Sequence, residues 1–218
     1  MPGADTEKKL AAEAAAELVE DEMRVGLGTG STVAFLLPAL AARGLSGLRC
    51  VATSVATEQQ AHRLGLPIEP FEQLDRLDIA IDGTDEVTPD GWLIKGGGAA
   101  HLREKIVAAA ATRFVVVADS SKPVESLRGP VPIEIFGFGA ASTLARLGSD
   151  VAVREVPPSP DGGVIADYRG AGLDNPAALA ARLEADPGVA AHGLFPPAMT
   201  ADLFIGTADT VTHTTFRP

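Results

Sequence analysis

Apolar residues come in short blocks along this chain, and most blocks end abruptly in glycine, hydroxyl or charged side chains. Between the blocks lie stretches whose apolar positions recur at helical spacing. Residues 5–19 (DTEKKLAAEAAAELV) have that spacing and are rich in Ala, Glu and Lys, which predicts an amphipathic helix. A short strand from Arg24 then enters Gly-Thr-Gly-Ser-Thr, and an apolar helix leaves it and runs to Leu40. Strands are expected at 48–52, 66–68, 77–81, 92–94 and 114–118, with helices at 57–64 and 99–111. Strands alternating with helices predict an open α/β sheet with parallel strands.

The texture changes after Lys122, where Pro123, Gly129, Pro130 and Pro132 punctuate a linker. Beyond it the pattern reads as strand 133–136, helix 140–147, strands 151–155 and 164–168, helix 176–185 and strand 189–194. Asn175 before Pro176 is a good cap for the second helix. The order β-α-β-β-α-β is that of a ferredoxin-like unit. Residues 202–211 supply one or two further strands, which can rejoin the first sheet.

Composition narrows the class. The chain has 218 residues, 46% hydrophobic and 22% charged, as in an ordinary soluble enzyme, and its formal net charge of −11 disfavours nonspecific binding to nucleic acid or anionic lipid. Residue 1 onward is charged and lacks an apolar signal core, and no apolar run reaches about 18 residues, so a cytoplasmic protein without membrane contact is expected. Cys50 sits in an apolar run and reads as a small buried hydrophobe. His62, His101, His192 and His213 are scattered without metal-ligand spacing, so no metal is expected.

The chemistry concentrates where apolar runs stop. In the loop Thr29, Gly30, Ser31, Thr32, glycine lets the backbone curl closely, and helix-start amides with two kinds of hydroxyl suit an anion. A simple tight turn or the start of a dinucleotide fold are the alternatives. The latter wants an acid about 20 residues on, but the strand 48–52 ends in Thr53 and Ser54. No Walker lysine follows Gly30, so a monophosphate is favoured. Asp82, Asp85 and Glu86 are three carboxylates within five residues; they form either a solvated acidic turn or a cluster whose repulsion raises at least one pKa. Lys95 precedes Gly96, Gly97 and Gly98, and Glu104 follows in the second turn of the next helix, where it would equally pass for a surface glutamate beside Arg103 and Lys105. A further run ends in Asp119, Ser120, Ser121 and Lys122. Four runs ending at Gly28, Asp82, Lys95 and Asp119 point to a common rim around one cleft. Lys8 and Lys9, by composition alone, are solvated lysines.

VGLGTGST, IDGTDEV, IKGGGAAHLREKI, VVVADSSK, PGVAAHGLF and ADLFIGT occur in one order over nearly the full length, and in this the chain resembles ribose-5-phosphate isomerase, type A. The resemblance implies reversible isomerisation of ribose 5-phosphate and ribulose 5-phosphate without metal or organic cofactor, in a homodimer. It implies a Rossmann-like, mostly parallel sheet domain, here 1–128 and 199–218, plus a smaller ferredoxin-like α+β domain, here 129–198. It makes Glu104 the base and adds Asp82, Asp85 and Lys95 to the catalytic set. Thr29, Gly30, Ser31, Thr32, Gly83, Thr84, Gly96, Gly97, Gly98, Lys122 and Lys8 become substrate-binding positions. Two places depart from the family pattern: Ser159-Pro160-Asp161-Gly162-Gly163 replaces an Asn-Gly-Asn-like hairpin, and Asp209-Thr210 stands where glycine often follows the aspartate. The implied chemistry is coherent. One carboxylate can carry a proton between C1 and C2, and a neighbouring lysine can offset charge on an enediolate. The rival readings are a sugar-phosphate sensor, which needs neither Glu104 nor Lys95, and an amino-sugar phosphate deaminase, which would release ammonia.

Overall fold

Strands whose residues are apolar on both faces need cover on both faces, and the fold supplies it with helices. In the computed structural model, which describes residues 3–216, the chain runs α1 (Ala4–Ala16), β1 (Arg24–Leu27), α2 (Val33–Ala42), β2 (Arg49–Ala52), α3 (Val55–Arg63), β3 (Leu77–Gly83), β4 (Glu86–Val87), β5 (Leu93–Ile94), α4 (His101–Ala110) and β6 (Ala111–Asp119). It continues with β7 (Val131–Ile135), α5 (Ala140–Leu147), β8 (Val151–Val153), β9 (Val164–Tyr168), α6 (Pro176–Glu184), β10 (Val189–His192), β11 (Leu194–Phe195), β12 (Asp202–Thr207) and β13 (Thr210–Thr215). Residues up to Thr84, Ile106–Lys122 and those from Ala198 onward form one compact unit, and Asp85–Lys105 with Pro123–Pro197 form another.

The first unit is built on a six-stranded sheet in the order β13-β12-β6-β3-β1-β2, parallel throughout except for β13 at one edge. From β1 the chain goes outward to β2, then returns to β3 on β1's other side. That reversal opens a crevice at the carboxyl ends of β1 and β3, the usual ligand position in open α/β sheets. One face of the core joins the alanine side of α1 (Ala11, Ala12, Ala15, Ala16) to Leu36, Leu37 and Leu40 of α2, Ile79 and Ile81 of β3, Val115 and Val117 of β6, and Phe204 of β12. Helix α1 packs closely on β12: a Cβ on Gly206 would lie 1.9 Å from the carbonyl oxygen of Glu7.

The second unit holds an antiparallel four-stranded sheet, β10-β7-β9-β8. β9 lies between β7 and β8, so the β7-α5-β8 and β9-α6-β10 crossovers interleave, which is the ferredoxin-like arrangement. Ile133, Ile135, Ala166, Tyr168, Leu179 and Leu183 form its core. A small sheet, β11-β5-β4, belongs to the same unit.

The α/β class with a ferredoxin-like partner is as the sequence pattern expects, and 202–211 does rejoin the first sheet, as the pair β12 and β13. Two details differ. Residues 66–68 form only an isolated bridge from Ile68 to Cys50, since Pro67 has no N–H to extend a ladder. The expected strand 189–194 breaks at Gly193, whose N–H donates to Pro132 O at 2.7 Å while its carbonyl accepts from Lys95 N at 2.9 Å. The chain there passes from one sheet to the other. Among the described residues no helix is long and apolar enough to cross a membrane.

Gly206→Ala sets a methyl group against fixed backbone, so we expect a loss of at least about 2 kcal/mol and a drop of several degrees in melting temperature by calorimetry. An unchanged melting point would mean that α1 is not seated on β12 as described.

Candidate active site

Parallel pairing of β1, β3 and β6 brings their carboxyl ends to one edge of the first unit. At β1 the chain leaves through Gly28, whose N–H donates to Ile81 O at 3.0 Å. Glycine is required there, because a Cβ would fall 2.0 Å from the carboxyl group of Asp82. Asp82, 3% exposed, accepts through Oδ1 from Thr29 N at 3.0 Å and from Gly83 N at 2.7 Å, so it fastens the loop after β1 to the end of β3. From the other side, Thr29 Oγ1 lies 2.7 Å from Thr53 Oγ1, and Thr57 Oγ1 donates to Gly28 O at 2.7 Å. Gly30, at φ 102°, and Ser31 are exposed at the tip, and Thr32 is buried just before α2. Ala34 N, in the first turn of α2, donates to Gly30 O at 3.0 Å and closes the loop onto the helix start.

At the end of β6, the carboxylate of buried Asp119 accepts from Ser121 N at 2.9 Å and from the Ser121 hydroxyl, and Lys122 N donates to Asp119 O at 3.2 Å. Next to this turn, Glu7 Oε2 accepts from the Ser120 amide and hydroxyl at 3.0 and 2.6 Å, and its Oε1 accepts from Ala208 N at 3.1 Å. Those bonds, the Ser120 hydroxyl first, hold the Glu7 carboxyl below its usual range. They also fix the first turn of α1, and with it Lys8, beside the Lys122 turn. Lys8 Nζ is 3.7 Å from Asp5.

The second unit contributes a different set. Lys95 follows β5, and its ammonium lies 3.1 Å from Glu104 Oε2, with the two side chains 3% and 5% exposed. It also lies 5.5 Å from the centroid of the Phe195 ring. Glu104 occupies the first turn of α4, where its N–H donates to Ala100 O at 3.0 Å and the helix dipole favours a negative side chain. Exposed Asp85 accepts from Gly97 N through Oδ2 at 2.8 Å. Gly96 is at φ 108° against the His101 ring, which a Cβ would meet at 2.8 Å. Arg154 grips the same loop by its carbonyls: Nη1 donates to Gly96 O at 2.9 Å and to Gly97 O at 3.2 Å, while Asp167 Oδ1 receives Nε and Nη2 at 3.1 and 2.6 Å.

Of the residues singled out from sequence, the first unit thus carries Lys8, Thr29, Gly30, Ser31, Thr32, Asp82, Gly83, Thr84 and Lys122. The second carries Asp85, Lys95, Gly96, Gly97, Gly98 and Glu104. Glu104 is not a surface glutamate. The sequence pattern assigns no role to Glu7, Thr53, Thr57, Arg154 or Phe195. Ser54 caps α3 by accepting from Thr57 N at 3.2 Å, so the Ser-x-x-Thr spacing was a usable signal for Thr57. Arg154 and Phe195 carry no local signal. Buried Cys50 has its thiol pushed up to about 12 by burial and is inert. Among the described residues no group of three or more His, Cys, Asp or Glu is placed to hold a metal ion.

Residues 49–210 match the family model for ribose 5-phosphate isomerase A (phosphoriboisomerase A). The chain is 47% identical to a ribose-5-phosphate isomerase A of Caulobacter vibrioides over 205 residues, covering 88% of this chain and 90% of that one. It superposes on the crystal structure of ribose 5-phosphate isomerase A from Neisseria gonorrhoeae with a TM-score of 0.93 and 33% identity, covering 99% and 98% of the two chains. It superposes on a D-ribose-5-phosphate isomerase in complex with phospho-erythronic acid with a TM-score of 0.91 and 33% identity, covering 98% of this chain and all of the other.

Two buried histidines give the second unit a pH response. Burial, followed by the charge of Lys105, lowers His101 to about 3 and His192 to about 4. Below the ordinary histidine pKa of about 6.5 the unfolded chain takes up protons that the folded chain refuses, so the stability is whole above that pH and is lost on acidification toward 4. Each refused proton costs up to about 1.4 kcal/mol per pH unit. Denaturant midpoints measured from pH 7 to pH 4.5 should fall, and His192→Asn should flatten the fall. A flat wild-type profile would contradict the burial of both rings.

Proposed function

The chain belongs to the ribose-5-phosphate isomerase A family, and from that membership we propose how its residues divide the work of moving a proton between two adjacent sugar carbons. The enzyme is an isomerase that interconverts ribose 5-phosphate and ribulose 5-phosphate. The observation that carries the assignment is the buried pair Lys95 and Glu104 at 3.1 Å.

In the open-chain aldose the C2–H is acidic because the C1 carbonyl accepts the electron pair. Glu104 removes that proton, C1 and C2 become doubly bonded, and negative charge collects on the two oxygens. Lys95 offsets this charge; a preorganised donor of this kind contributes about 3–4 kcal/mol. Glu104 then returns the proton to C1, and the C2 oxygen becomes the ketone. The hydroxyl protons lost at O2 and gained at O1, and the proton that opens the furanose at its ring oxygen, are carried by Asp82 and Asp85. The phosphate is taken by the amides and hydroxyls of Thr29, Gly30, Ser31 and Thr32 with the charges of Lys8 and Lys122, while Gly83, Thr84, Gly96, Gly97 and Gly98 offer backbone contacts at close range. Binding the phosphate helps offset the entropy of bringing C2 to its base. Phospho-erythronic acid has two oxygens on its terminal carbon, as the enediolate has across C1 and C2, so it is the inhibitor to expect here, with its carboxylate at Lys95.

The protein works without metal or organic cofactor, in the cytoplasm, as a homodimer that takes no nucleic acid or membrane partner. Support for self-association is the exposed aromatic surface of the second unit, with Phe138 98% and Phe136 53% exposed.

Glu104→Gln is expected to lower kcat by about 100-fold or more with the circular dichroism spectrum unchanged. Near-normal turnover would reject Glu104 as the base. Lys95→Ala should lower kcat and weaken inhibition by phospho-erythronic acid together, and Ser31→Ala should act mainly on KM. A chelator should leave activity unchanged. Light scattering should give twice the chain mass.

A further inference from the structure

Lys105 follows the base in sequence, is largely buried, and has no part in the chemistry above. Its ammonium donates to Leu194 O at 2.9 Å, approaches His192 Nδ1 at 3.3 Å, and lies 4.9 Å from the centroid of the Phe195 ring. Two of these partners, Leu194 and Phe195, lead to Lys95. Leu194 and Phe195 form β11, which pairs with β5 through Leu194 opposite Ile94 and Phe195 opposite Leu93. The residue before β11, Gly193, accepts the Lys95 N–H at 2.9 Å. The Phe195 ring itself carries the Lys95 ammonium 5.5 Å from its centroid.

The His192 imidazole beside Lys105 has a fixed orientation. Leu194 N donates to His192 Nδ1 at 3.2 Å, so Nδ1 is an acceptor and the ring proton sits on Nε2, facing Glu184 Oε1 at 3.1 Å. Glu184, exposed on α6, thus orients the ring that receives the lysine. A buried ammonium is costly unless it is well bonded, and the Leu194 carbonyl, the imidazole nitrogen and the ring face together hold this one in place. Burial lowers Lys105 to about 8, with Glu184 opposing the shift.

We propose that Lys105 is a positioning residue that sets the separation of Lys95 and Glu104, by tying the helix that carries the glutamate to the strand that holds the lysine's strand. The inference rests on the assignment of Glu104 as base. It separates two duties on one helix turn: Glu104 faces the substrate, and the next residue fixes where Glu104 stands. Misplacing a reacting group by about 1 Å can cost on the order of 100-fold in rate, so loss of the tie acts on turnover. KM changes little, because the loop proposed for the phosphate lies in another part of the chain.

The test compares Lys105→Met, Lys105→Gln, Phe195→Leu and the double variant Lys105→Met/Phe195→Leu in steady-state kinetics with ribose 5-phosphate, with Glu104→Gln as reference. Lys105→Met should lower kcat about tenfold or more with KM within about twofold of wild type. Lys105→Gln, which keeps an N–H for the Leu194 carbonyl, should recover part of the loss. The double variant should be little worse than its weaker parent, because both changes act through Phe195. If Lys105→Met does not fold, Lys105→Gln and Phe195→Leu carry the comparison. A kcat within twofold of wild type in Lys105→Met, or independent additive losses that follow melting temperature, overturns the inference. If Glu104→Gln is inactive while Lys105→Met is normal, only the positioning role fails. If Glu104→Gln is active, the assignment of the base fails first.

Discussion

A carboxylate and an ammonium 3.1 Å apart, each side chain about 95% removed from solvent, are the constraint on which the second unit depends. Two such charges gain from each other but lose their hydration, and the loss exceeds the gain unless the surroundings complete the bonding. The structure around the pair meets that demand. Glu104 sits in the first turn of a helix, and Lys95 stands over an aromatic face. The strand bearing Lys95 is held by Gly193, which tolerates no side chain because a Cβ would lie 2.1 Å from the Lys95 carbonyl oxygen. Charge stabilisation is strongest from groups fixed in advance, and a buried pair held by backbone has that property.

The first unit solves a different problem, the fixing of a glycine-rich loop at the edge of a parallel sheet. Parallel strands send every turn after a strand to the same edge, and the order around β1 leaves a gap there. Glycine at position 28 is what lets Asp82 reach the Thr29 amide. The surrounding hydroxyls of Thr53 and Thr57 stiffen a loop that would otherwise be a flexible glycine run.

Much of this was legible in the order of residues. Period and punctuation gave helix 140–147 and strand 164–168 to the residue, and the βαββαβ order gave the small sheet. The clusters at Gly28, Asp82, Lys95 and Asp119 were visible as apolar runs that stop in polar groups. Where reading failed, a neighbour decided. Residues 66–68 have strand composition, but Pro67 cannot donate and only one bridge forms. The run 189–194 is continuous in pattern, yet Gly193 is shared between two sheets and breaks it.

The sequence by itself determined the family, the alternation of strand and helix, and which residue types gather at strand ends, because all three depend on local spacing and on motifs read in order. It did not determine that Glu104 is buried against Lys95 when the flanking Arg103 and Lys105 offer equally plausible partners. Nor did it disclose that Arg154, more than fifty residues from the triple glycine, holds that loop by its carbonyls, or that Phe195 lies under two lysines. Burial and pairing across long separations are properties of the packed chain. A charged side chain's partner is chosen by which strands lie side by side, and strand order is settled only when the hydrophobic faces have found their cover.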